Sequence, residues 1–242
     1  MREKIVGILG GMGPEATIDM FQKIVDATPA VENEEHLRII IDNNPKLPSR
    51  QDAILRGGPS PVPEMIKSGK LLADAGADFI ILGANTAHWF QPEMQRGVPI
   101  PILHIIEETV QYVKTALPEV RTVGILATTG AMKTGMFPKE FEKAGITALT
   151  PDEAQQTAVM DAIMDFKRHG SLDGPRKALL DAAGSLKSRG ALAIVMGCTE
   201  IPIFLKGADA GVPLIDPNII LADVVVHYAR GGETPVSARL DR

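Results

Sequence analysis

Apolar positions in this chain fall into short, β-branched runs, each followed by a longer stretch with helical period. Runs at 4–9 (KIVGIL), 37–41 (LRIII), 78–82 (DFIIL), 121–127 (RTVGILA) and 191–196 (ALAIVM) predict strands, with two shorter ones at 100–103 and 212–215. A strand with one wet face alternates apolar and polar residues. Uninterrupted runs such as these suit strands covered on both faces, as in parallel sheets. Helices are predicted near 14–27, 61–75, 105–116, 152–168, 174–188 and 217–229. Pro14 and Pro217 are good first-turn residues, because proline lacks an N–H that the first turn would leave unbonded anyway. Alternating strands and helices predict right-handed βαβ crossovers, with functional loops at the C-terminal ends of the strands.

The pattern also repeats. GADFIILGANTAHWF (76–90) is matched by GALAIVMGCTEIPIF (190–204), so Ala84 falls opposite Cys198 at an offset of 114. The same offset aligns GVPIP at 97 with GVPLI at 211, and IVGILGGMG (5–13) matches TVGILATTG (122–130) at an offset of 117. The fold expected is α/β with two pseudo-symmetric lobes, each a mainly parallel sheet flanked by helices. One lobe is read as 1–100 plus 211–242 and the other as 101–210. In that arrangement the loops after Gly83 and Gly197 face one another across an inter-lobe cleft, which is the expected active site. The plainer alternative is that buried strands resemble each other by composition alone. The final GGETPVSARLDR is polar and is expected to fray.

Composition narrows the options. With 242 residues, 45% of them hydrophobic, the chain can bury one large core or two small ones. No apolar run approaches the roughly 18 residues that a membrane helix needs. The N-terminus enters a strand pattern without the plan of a signal peptide, and one cysteine cannot form an internal disulfide. A reducing cytoplasm is therefore expected. The net charge of −5, scattered Lys and Arg, and one Trp with two Tyr argue against a nucleic-acid partner. Five dispersed histidines and one cysteine offer no metal-ligand spacing.

Several constellations can carry chemistry. In GCTEIP, Cys198 falls at or just before a predicted helix start, where unpaired N–H groups and the helix dipole favour thiolate. It is then either a nucleophile or proton-transfer base beside Thr199 and Glu200, or a small buried hydrophobe. In GANTAH, Asn85 and Thr86 offer donors for an anionic ligand, or they cap the following helix; His88 caps or contacts a ligand. ILGGMGPEAT nearly satisfies a dinucleotide fingerprint as Gly11-x-Gly13-x-x-Ala16, with Asp42 as a ribose acceptor. Against that reading, Pro14 removes an N–H, and Asp42 is followed by Asn43 and a loop rich in other donors. A backbone nest for a carboxylate at Met12 and Gly13 is more economical. Arg50 and Lys167 are candidate grips for an acid, or solvated surface charges. Thr128 and Thr129, after the equivalent strand, are carboxylate donors or caps.

GILGGMGPEAT, NNPKLPSR, NTAH, LATTGAMKTG and GCTEIP occur in the order and spacing of the aspartate/glutamate racemases, and from about residue 5 to 230 the chain resembles that family, most of all its aspartate branch. The resemblance implies a dimeric, cytoplasmic isomerase acting on a small acidic amino acid with no pyridoxal phosphate, metal or nucleotide. In that family two thiols flank the substrate Cα, one removing a proton and the other delivering one. By position, Cys198 matches the second-lobe thiol. Asn85, Thr86, Thr128 and Thr199 match positions around the α-carboxylate and amino group, while Arg50 and Lys167 match the charged pair and Met12 and Gly13 the glycine loop. Asn43 and Glu200 complete the expected substrate-binding set.

Ala84 departs from the family pattern, standing where the first-lobe thiol is expected. It is an introduced Cys→Ala change, or a natural variant in which Thr86, His88 or water serves as the second acid. A third reading is a drift to one-thiol chemistry resembling the arylmalonate decarboxylases. A non-catalytic binder of acidic amino acids is the reading from outside enzymology.

Overall fold

A computed structural model of the chain describes residues 2–170 and 173–238. The chain begins with β1 (Val6–Gly10), α1 (Pro14–Ala27), β2 (Ile39–Asn43), α2 (Arg50–Arg56), α3 (Val62–Asp74) and β3 (Phe79–Leu82). After a 3-10 turn at Asn85–Phe90 come α4 (Gln91–Gln95) and α5 (Ile105–Ala116). The second series is β4 (Thr122–Ala127), α6 (Thr129–Thr134), α7 (Met136–Lys143), β5 (Thr147–Leu149), α8 (Glu153–His169) and α9 (Asp173–Ser188). It closes with β6 (Ala193–Gly197), α10 (Ile201–Leu205), β7 (Leu214–Ile215) and α11 (Pro217–Ala229). All strand pairings are parallel, in sheets ordered β2-β1-β3 and β5-β4-β6-β7. This is the α/β class expected, with two parallel sheets flanked by helices.

The chain divides into two compact units. One runs from the N-terminus through Thr109 and resumes at Asn218; the other is Val110–Pro217. The chain thus changes unit inside α5 and again at the start of α11. In the first unit, Ile80 and Leu82 pack with Met65 and Leu72 of α3 and Met94 of α4. Phe79 sits with its ring 5.0 Å from Tyr228 of α11. Successive residues of a strand point to opposite faces, so both faces of β3 are covered. In the second unit, Ile194 and Met196 pack with Val159 and Ile163 of α8 and Leu179, Ala183 and Leu186 of α9. Each of the larger of these side chains, removed from water, contributes about 1.5–3 kcal/mol.

The internal repeat is a repeat of register. Val6 pairs with Phe79 and Leu9 with Leu82, while Val123 pairs with Ala193 and Leu126 with Met196. These are the residues that the sequence offsets make equivalent, so Ala84 and Cys198 leave their sheets at matching points. The third matched segment behaves differently. Ile80 bridges to Ile102, whereas its counterpart Ile194 pairs with Leu214. Aligning the two GVP motifs sets Leu214 against Ile100, so pairing in the first unit lies two residues further on.

Other expectations shift more. The 100–103 run makes only that isolated bridge, and 212–215 shortens to two residues. Five short helices, α2, α4, α6, α7 and α10, and the edge strand β5 lie outside the predicted ranges. Part of the tail expected to fray is tied down: Ser237 donates through its N–H (2.9 Å) and hydroxyl (2.5 Å) to the buried Glu108 carboxylate. The last residues of that tail, 239–242, lie outside the described residues.

Candidate active site

In the first unit, the glycine loop after β1 is built around one threonine. Gly11 adopts φ +84°, and a Cβ there would lie 2.3 Å from the Asn44 backbone, so only glycine fits. Its N–H donates to the Thr17 hydroxyl at 2.9 Å, and that hydroxyl donates to the Gly13 carbonyl at 3.3 Å. The N–H that a phosphate would seek is therefore engaged within the protein, which weakens the dinucleotide reading of this loop. Met12 is buried, and its carbonyl accepts from Arg50 Nη2 at 3.3 Å. Arg50 opens α2, with Ser49 capping that helix by accepting from Asp52 N–H at 3.2 Å. Its Nη1 donates to the Pro48 carbonyl at 3.1 Å. Burial draws the guanidinium below its usual pKa, and no carboxylate among the described residues pairs with it.

One strand over, Ala84 is the N-cap residue of the 3-10 turn at Asn85–Phe90 and supplies no side-chain cap. Asn85 does not cap that turn either. Its amide oxygen and nitrogen are both buried with no hydrogen-bond partner among the described residues. Thr86 is buried beside it. His88 is fully enclosed, with Nδ1 3.0 Å from the Ala84 carbonyl and 3.2 Å from that of Asn85. Two acceptors at Nδ1 require the proton there. Burial, with the neighbouring His104 ring 5.0 Å away, pushes the His88 pKa down to about 3. The ring is thus neutral at ordinary pH, and it holds the Ala84–Asn85 backbone in place.

The second unit carries the charge. Ala127 and Gly197 are paired across β4 and β6, so Thr128 and Cys198 follow one another across neighbouring strand ends. A Cβ on Gly197 would meet the Phe137 ring at 2.7 Å, so α7 packs directly against this strand end. The buried Cys198 thiol donates to Glu200 Oε2 at 2.8 Å, and the Thr199 hydroxyl donates to the same oxygen at 3.0 Å. Lys167 Nζ pairs with Glu200 Oε1 at 2.8 Å. Burial opposes the Glu200 charge, but Lys167 and the hydrogen bonds from Cys198 and Thr199 outweigh it, leaving the carboxyl below its usual pKa. Burial first, and then the Glu200 charge, raise Cys198 well above the ordinary thiol range.

That reverses the expectation of a resting thiolate. The helix after Cys198 begins only at Ile201 and is five residues long, so its dipole is weak. Burial, with a carboxylate in direct contact with the sulfur, prevails. Thr128 is an N-cap, accepting from Ala131 N–H at 3.3 Å.

The structure gathers the foreseen residues in two sets. Met12, Gly13 and Arg50 meet at the glycine loop, and α2 packs against the turn carrying Asn85 and Thr86. Lys167, Cys198, Thr199 and Glu200 form one bonded cluster, with Thr128 at the adjoining strand end. Asn43 ends β2, paired with Gly10 and exposed. Sequence reasoning missed Thr17, His104 and Gln156, whose Nε2 donates to the Ala127 carbonyl at 3.0 Å and Thr129 Oγ1 at 3.4 Å. Thr17 bonds within its own glycine loop, whereas His104 and Gln156 lie far along the chain from their partners, so no local signal marked those two.

Comparison with known proteins places this arrangement. The chain is 29% identical over 232 residues to the broad specificity amino-acid racemase RacX of Bacillus subtilis, covering 92% of this chain and 96% of that protein. The aspartate racemase of Picrophilus torridus superposes with a TM-score of 0.81 at 27% identity, covering 94% of both chains. A glutamate racemase from Francisella tularensis, at 16% identity over 93% of this chain and 80% of its own, shares the fold with a TM-score of 0.67. The family model described as Asp/Glu/Hydantoin racemase matches residues 9–225, and the chain belongs to that family.

Proposed function

We propose that the protein transfers protons at the Cα of an acidic amino acid, aspartate before glutamate, using side chains alone and with Cys198 as its one thiol. The supporting observation is the buried Cys198 thiol, hydrogen-bonded to a carboxylate at a strand end, in a chain of the racemase family. An amino-acid Cα–H is a very weak acid, so its removal requires a positioned base and stabilisation of the developing anion. Ala84, at the matching strand end, bears only a methyl group, and His88 behind it is neutral and turned to backbone carbonyls. Two-sided proton transfer is therefore impaired in this reading, and exchange proceeds on one face.

The test is incubation with L- and D-aspartate in deuterated water, followed by mass and chirality analysis. One enantiomer is expected to gain deuterium at Cα without inverting. Efficient inversion of both would overturn the claim that Ala84 disables the cycle, and absence of exchange in either would favour a binding protein. The single thiol also favours a second reading, one-sided protonation after decarboxylation of a 2-substituted malonate. Carbon dioxide release from an arylmalonate, with one enantiomer of product, would support it.

A further inference from the structure

Gln156, near the start of α8, makes two bonds that fall on either side of one residue. Its Nε2 donates to the Ala127 carbonyl at 3.0 Å and to Thr129 Oγ1 at 3.4 Å. Between them lies Thr128, at the end of β4, whose hydroxyl caps α6 by accepting from Ala131 N–H. Ala127 is paired with Gly197, so the bracketed residue stands at the strand end adjoining that of Cys198. Thr128 is also a residue expected from the sequence to donate to a substrate carboxylate. About three turns further along α8, Lys167 pairs with Glu200 in the neighbouring turn. One helix thus ties down both strand ends, and Gln156 is its contact with the uncharged one.

The orientation of this amide is fixed. A carbonyl can only accept, so the atom facing Ala127 is the nitrogen, and the oxygen is turned away. Gln156 Oε1 is buried without a hydrogen-bond partner among the described residues. An amide oxygen left unpaired in the interior costs at least as much as a neutral hydrogen bond returns. Stability therefore gives little reason for a glutamine here, where an apolar side chain of the same length would fill the space. What the amide does supply is a fixed place for the turn. We infer that Gln156 is a positioning residue, holding the β4 strand end so that Thr128 receives the substrate carboxylate beside Cys198. This inference rests on the acidic amino-acid reading proposed above.

The test uses Gln156→Met in the full chain, which keeps the length of the side chain and removes its donors. Exchange of the Ala131 amide in deuterated water, read by NMR, is expected to quicken about 10-fold as the capped turn loosens. The dissociation constant for aspartate, read by calorimetry, is expected to rise about 10-fold. A merely structural role would weaken binding whatever residue stands at 128. Acting through Thr128, Gln156→Met is instead expected to change affinity by less than about 2-fold in a Thr128→Val background. Unaltered Ala131 exchange, unaltered affinity, or an equal loss of affinity in the Thr128→Val chain overturns the inference.

Gln156→Glu guards against a methionine variant that does not fold. It keeps the shape of the side chain, and above neutral pH its ionised carboxylate cannot donate to Ala127. Faster Ala131 exchange and weaker aspartate binding are expected in it as well, and their absence overturns the inference by itself. If the unmodified chain binds no aspartate, the acidic amino-acid reading fails instead. Ala131 exchange still decides whether Gln156 holds the turn.

Discussion

After Gly83 the chain of the first unit turns through Ala84, Asn85 and Thr86; after Gly197 the second turns through Cys198, Thr199 and Glu200. The two turns leave their sheets in the same register, although the first enters a 3-10 helix at once and the second reaches its helix only at Ile201. Their surroundings differ as well. Behind Ala84 lie two histidine rings in contact, one held neutral, and an asparagine amide without hydrogen-bond partners among the described residues. Behind Cys198 lies a carboxylate that accepts a hydrogen bond from the thiol and is itself paired with a lysine. A duplicated strand end thus stands in two different surroundings, one neutral and the other charged.

The sharpest way to test this contrast is to restore symmetry. Ala84→Cys should raise aspartate racemisation by about 1000-fold, the scale of a positioned acid–base group, as read by chirality analysis of product. A variant that still fails to invert substrate would show that the first turn lacks more than a thiol. The histidine pair comes next. His88 has a folded pKa of about 3, below its ordinary 6.5, so its contribution to stability is full above pH 6.5 and is lost as pH falls towards 3. His88→Asn should flatten the fall in urea midpoint across that window, by on the order of a few kcal/mol. Parallel curves for the two proteins would remove His88 as the cause.

Arg50 tests the cationic side of the first turn. Arg50→Ala should weaken aspartate binding roughly 10- to 100-fold, the scale of a charge-assisted contact, with alanine binding little changed in calorimetry. Equal losses for both ligands would exclude a side-chain grip. The smallest effect expected concerns the paired glycines. Gly197→Ala forces a methyl group against Phe137 and Ala127, at 2.7 and 3.1 Å, and should destabilise by about 1–3 kcal/mol. In Gly83→Ala the nearest atom is 3.5 Å away, an ordinary contact, so its thermal midpoint should stay near that of the unmodified protein.

Much of this comparison was legible in the chain itself. The apolar runs give both sheets, and α1, α5 and α11 begin and end where the periodicity predicts. The unforeseen elements have identifiable causes. α6 and α7 contain or adjoin Gly130, Gly135 and Pro138, residues that disrupt a helical pattern. β5 is a three-residue strand, half exposed, without a continuous apolar run. At the site, residue types were legible but electrostatic balance was not. Lys167 and Glu200 are distant in sequence, and only the fold brings them to 2.8 Å. The burial that raises the Cys198 thiol is likewise set by the fold, so in sequence a cysteine before a short helix looks like a thiolate.

The displaced third pairing carries a consequence for how such a duplicated sheet can age. Ile80 meets Ile102, while Ile194 meets Leu214, and the aligned GVP motifs show that the first unit has moved on by two residues. Side chains alternate along a strand with period two, so a shift of one would have turned every apolar residue of that segment to the wrong face. A shift of two leaves the faces intact. A length change feeding these edge pairings therefore keeps the buried faces when it moves the register by an even number of residues, and inverts them when the number is odd.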